Sequence, residues 1–283
     1  MTDEIIDGAK EDIGRVEHPM RVLSDEELRE STQQALAEVA TLEAAAIDPR
    51  RWEISPETAK AVKMISKLSA PGTYPRPFKP DRYQQFSWAA GLDRIADDAA
   101  ACLGMVLAGR VTGNDFSAFK TVDRLDFNNP ELNALKPRVR QAIIDSRIKF
   151  VYVGRSDEAA AIARVVNHPK AFIPASAVEI VTSPEIDNTL DQIRFLSEYF
   201  QRSGLNRGDI VTMVDFPPRL VRIMRMSEQS QPIPKGIELA LFPVATPEAK
   251  TSGLPALEIR GAVGYYATTG QAALQSYPYK IGP

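Results

Sequence analysis

The chain has 283 residues, 44% of them hydrophobic and 25% charged, with a formal net charge of -3. That length buries a full core as one large or two smaller units, and the charge gives no reason to expect nucleic acid or a membrane surface. A single cysteine, Cys102, excludes a disulfide framework within the chain, and two histidines, His18 and His168, are too few and too far apart for a zinc cluster.

The chain opens Met1-Thr2-Asp3-Glu4, acidic and without an apolar signal core, and no stretch approaches the length of a membrane-spanning helix. A cytoplasmic protein is the expectation. The first residues are polar and read as poorly ordered or draped over the surface. Ser24-Asp25-Glu26-Glu27 is a capping box that opens a helix through Ala46, ended by Asp48-Pro49. Ser55-Pro56 opens a second helix, predicted to run to about Leu68. Ala70 to Pro80 holds four prolines and one glycine and reads as a connector.

Asp81 to Leu107 reads as helix followed by a buried segment. Ala99 to Leu107 is apolar without alternation, so strand and helix both remain open. If it is a strand, it is the first of the sheet, flanked by Gly104 and Gly109. Val111 to Pro130 reads as a long loop and Pro137 to Ser146 as a helix.

Three strand-to-helix switches follow in a row. Ile148 to Val153 leads to Gly154-Arg155-Ser156-Asp157-Glu158 and an Ala-rich helix. Ala177 to Val181 leads to Asp187-Asn188-Thr189 and a helix striped by Leu190, Ile193, Leu196, Tyr199 and Phe200. Asp209 to Val214 leads to Asp215-Phe216-Pro217-Pro218-Arg219 and a third helix. Beyond it, Ile237 to Val244 is a strand candidate, Thr246 to Gly253 a loop and Thr269 to Ser276 a short helix. Sequential units of this kind build a parallel sheet, and open α/β sheets bind ligands outside the carboxyl ends of their strands. The predicted fold is a Rossmann-like sheet of mainly parallel strands flanked by helices over residues 81–283. A helical N-terminal region over 1–80 packs on it.

The switch residues carry the chemistry. Glu158, in the first turn of a helix, is favoured by the helix dipole and can accept hydrogen bonds from ligand hydroxyls or amines; a cap is the plainer role. Asn188 and Thr189 read first as an N-cap. Asp215 can bond a ligand or cap the next helix. Arg219, Arg222 and Arg225 recur at helical spacing; Arg219 is the candidate anion clamp and Arg225 reads as solvated basic surface. A Gly-x-Ser-x-Gly elbow and a phosphate-binding glycine loop with lysine are both absent from the sequence.

These motifs, in this order, resemble the YdcF/SanA-like family of bacterial α/β proteins. Ser156-Asp157-Glu158-Ala159, Asp187-Asn188-Thr189-Leu190 and Asp215-Phe216-Pro217-Pro218-Arg219 carry the resemblance, together with Leu274 and Tyr277 in the tail. The family has two glycines where this chain has Gly154-Arg155, and Arg155 could supply positive charge in their place.

The resemblance implies a small-molecule site built from Gly154, Arg155, Ser156, Glu158, Asn188, Thr189, Asp215 and Arg219. The soluble YdcF branch implies an adenosine-containing ligand such as S-adenosylmethionine; from the charge and the lack of a tight acidic or histidine cluster, no metal, nucleic-acid or membrane partner is expected. The SanA branch implies an enzyme of envelope metabolism acting on a phosphorylated or sugar-nucleotide substrate. Glu158 or Asp215 would then serve as acid or base and Arg219 would hold the anion. A third reading is an interaction protein that docks through its helical N-terminal region.

Overall fold

The computed structural model describes residues 1–14, 24–68, 92–120, 129–228, 232–245, 254–269 and 274–283. Strands β1 (Val62–Leu68), β2 (Lys149–Arg155), β3 (Val178–Ser183), β4 (Ile210–Asp215), β5 (Glu238–Pro243) and β6 (Lys280–Ile281) form one sheet in the order β3-β2-β1-β4-β5-β6. Every pairing is parallel. The Rossmann-like expectation is met.

Side chains alternate across the strands and feed two cores. Ile65, Phe150, Tyr152, Val214 and Phe242 pack on one face, against α3 (Pro56–Ala61), α4 (Leu92–Thr112), α5 (Pro130–Ser146) and α6 (Ser156–Val166). Met64, Leu68, Val151, Val153, Met213 and Leu241 pack on the other. There they meet α2 (Asp25–Ile47), α7 (Thr189–Arg202), α8 (Pro217–Ser227) and α9 (Leu254–Thr269). Ile5 of α1 (Thr2–Gly14) joins this second core.

Several expectations are corrected. The polar N-terminus forms α1, which lies on α2 and α9; Arg260 binds Asp12 through two hydrogen bonds of 2.5 Å. The second predicted helix stops at Ala61, and Val62–Leu68 is the central strand. The sheet therefore draws β1 from within residues 1–80. Ala99 to Leu107 is helix, inside α4, and the expected loop from Val111 begins only after Thr112. The helix predicted from Pro137 starts at Pro130, with Pro137 inside it. α9 was not expected, and β6 closes the tail where no strand was foreseen. Within the tail, the Tyr277 amide donates to Met224 O at 2.9 Å, tying it to α8. Residues 70–80 and 246–253, the whole of the expected connector and loop, lie outside the described residues, as do residues 270–273 of the short helix expected from Thr269 to Ser276.

Candidate site at the strand-order reversal

The chain adds β2 and β3 on one side of β1, then crosses back to add β4 on the other. The order reverses between β1 and β4. Such a reversal opens a crevice at the carboxyl edge, because the connections from the two strands leave toward opposite faces. Here β1 leads to α4 on one face and β4 to α8 on the other.

Three charged side chains meet at this crevice. Lys67, next to last in β1, donates to Leu68 O at 3.0 Å and to Asp215 Oδ2 at 3.2 Å. Arg219, in the first turn of α8, donates through Nη2 to the same carbonyl at 3.2 Å, and its Nε lies 3.5 Å from Asp215 Oδ2. Asp215 Oδ1 accepts from the Phe216 amide at 2.9 Å. Exposure is 6% for Lys67, 1% for Asp215 and 4% for Arg219. Charges this buried persist only when paired and hydrogen-bonded. The terminal carbonyl of β1 accepts from both cations.

Arg219 is thus a buried bridge across the reversal, held between the end of β1 and Asp215. Pro217 and Pro218 start α8 immediately after β4, which sets the guanidinium over the Phe216 ring at 6.0 Å.

The other expected residues lie along the same edge. Gly154 and Arg155 end β2, paired in register with Thr182 and Ser183. Gly154 is buried, whereas Arg155 and Ser156 are exposed. Glu158 falls in α6, but its side chain lies outside the described residues. Asn188 caps α7: its side chain accepts from the Leu190 and Asp191 amides at 2.8 and 3.1 Å, and Asp191 completes a capping box. The cap saturates Asn188 Oδ1, and Thr189 behind it is buried. Hydrogen bonds therefore join Asp215 and Arg219 to the end of β1. Arg155 and Ser156 stand one strand further out.

Sequence reasoning missed Lys67 and Gln192. Gln192, fully buried in the first turns of α7, donates to Val153 O at 3.2 Å and anchors that helix to the end of β2. Its only sequence signal was a polar residue beside Ile193 on an otherwise apolar stripe. Asp97 and Asp98 of α4 are also buried. Burial, and after it the Asp98 carboxylate, push the Cys102 thiol well above its ordinary range, so Cys102 is not a thiolate nucleophile at neutral pH. Arg225 reverses the expectation of a solvated face: it is 1% exposed, donates to Ser31 Oγ at 3.0 Å and lies 3.5 Å from Glu38 of α2. Arg222 pairs with Glu258 of α9 at 3.1 Å.

His168 accepts from the Lys170 amide at 3.2 Å and stabilises a turn. Among the described residues, no group of three or more His, Cys, Asp or Glu is placed to hold a metal, and no helix is long and apolar enough to cross a membrane. Comparison with family models, with curated proteins and with solved structures gives no match.

Proposed function

We propose that this chain binds a small molecule carrying adenosine and an anionic group in the crevice between β1 and β4. The observation that carries the reading is the reversal of strand order at β1 and β4, with Lys67 and Arg219 at the strand ends beside it. In doubly wound sheets this crevice receives the nucleotide, and the end of the strand beside β1 meets the ribose. Here that end is Gly154-Arg155-Ser156, and Glu158 follows within the first turn of α6. Arginine suits a phosphate or carboxylate, and the serine hydroxyl both donates and accepts toward ribose oxygens. The resemblance to YdcF-like proteins makes S-adenosylmethionine the first ligand to try, as cofactor or as effector.

The test is thermal denaturation followed by calorimetry with S-adenosylmethionine, ATP and UDP-N-acetylglucosamine. A ligand present at a hundred times its dissociation constant stabilises by about 2.7 kcal/mol. An adenosine compound is expected to raise the melting temperature. The effect should weaken in Arg155→Gln and Ser156→Ala, whose exposed side chains leave the fold intact. No stabilisation by either adenosine compound at millimolar concentration would refute the reading. Stabilisation by the uridine compound alone would replace adenosine with a sugar nucleotide.

A further inference from the structure

At the far end of α4, away from the crevice, a second concavity is built into the fold. The last turns of α4 and the chain through Lys120 border an open concavity of about 510 Å³, with Pro56 also in its lining. Pro56 opens the short helix that leads into β1, so the cavity lies toward the amino ends of the strands.

Its shape is set locally. A Cβ at Gly109 would come within 2.7 Å of Asn114 O and 2.8 Å of the Phe116 ring, so only glycine lets the returning chain lie this close to α4. Gly113 turns the chain with φ at 74°. Asn114 is held by Arg138 at 3.0 Å through its Oδ1 and by Thr112 at 2.8 Å through its Nδ2. Val106, Pro56 and the buried Phe116 give an apolar floor.

The charges on the rim are unequal in their commitments. Asp115 accepts from the Ser117 amide at 2.9 Å. Those bonds from Ser117 hold its carboxyl below the usual range, with a smaller contribution from the charges of Lys120 and Arg110. Arg110 and Lys120 both border the cavity, and each acts on Asp115 through its charge alone. Two cations thus flank an open cavity, against one carboxylate on the same rim, giving the rim a net positive charge. Ligand pockets combine an apolar lining with a few convergent polar groups in this way.

We propose that this cavity binds a small organic anion, its apolar body on Val106 and Phe116 and its carboxylate or phosphate between Arg110 and Lys120. The site is independent of the crevice at the other edge.

The experiment is a nitrogen-15 NMR titration of the full chain with phenyl phosphate, benzoate and inorganic phosphate. Saturable shifts are expected at the Gly109, Gly113, Asn114 and Phe116 amides with phenyl phosphate or benzoate, whichever head group fits. Inorganic phosphate should bind more weakly, because it cannot use the floor. The double variant R110Q/K120Q should keep the wild-type melting temperature and weaken binding at least about tenfold, the loss expected for a charge-assisted hydrogen bond. Shifts that fail to saturate, that persist in the double variant, or that are equal for inorganic phosphate would overturn the proposal. Amides at Leu68, Gly154 and Asp215 report separately on the crevice, so failure at one site is distinguishable from failure at the other.

Discussion

The Nζ of Lys67 lies 3.2 Å from Oδ2 of Asp215, 148 positions further along the chain, and both side chains are buried. This contact joins the ends of β1 and β4 where the order of the sheet reverses. It places a buried polar pair where the two strand ends meet.

Removing the carboxylate should cost more than removing the amine. Asp215→Ala leaves Lys67 and Arg219 facing each other in a buried setting, and breaking a buried pair this way costs about 3–5 kcal/mol. Lys67→Met should cost less, because Asp215 keeps the Phe216 amide and Arg219. Urea denaturation of the two variants measures the difference; the opposite ranking would mean that Lys67 is the anchor.

Gly104 lies inside α4 against the Phe150 ring of β2 and near Ile65 of β1. An added methyl would enter that ring, so Gly104→Ala should destabilise by about 1–3 kcal/mol despite its better helix propensity. Adding Phe150→Leu should recover part of the loss. A stabilised single variant would show that α4 stands further from the sheet.

On α7, Ile193 is buried in the second core while Leu190 is half-buried. Ile193→Ala should cost about 2–5 kcal/mol and Leu190→Ala distinctly less. Equal losses in chemical denaturation would contradict the orientation of the helix.

Stability should fall at alkaline pH. Burial, and then the Glu179 charge, push the Tyr199 hydroxyl from 10.0 up to about 12. The unfolded chain therefore loses this proton first, so the contribution is complete below pH 10 and declines as pH rises through about 12. Burial also raises Tyr277 and Tyr279. Tyr199→Phe should lessen the decline between pH 10 and 12; an unchanged slope would remove Tyr199 from it.

The three strand-to-helix switches were legible because each run is short, rich in β-branched residues and followed by polar residues or prolines that start a helix. β1 was hidden for a physical reason. Ser55-Pro56 is a strong helix start, and α3 passes into β1 at Ala61-Val62 with no glycine or proline between them. The sheet, not the local sequence, ends that helix. α4 was ambiguous because Ala96 to Gly109 is buried on all sides, which erases the amphipathic stripe. Arg225 was misplaced because α2 covers the face of α8 that spacing alone left open to solvent. Lys67 followed from the loss of β1: a lysine in a supposed helix carries no hint of a strand end.

The most direct test of the crevice is hydrogen–deuterium exchange with and without S-adenosylmethionine or ATP. The account predicts slowed exchange in residues 64–68, 153–156 and 215–219, the strand ends around the reversal. Absence of protection with both ligands, or protection confined to residues 106–120 at the opposite edge, would contradict it.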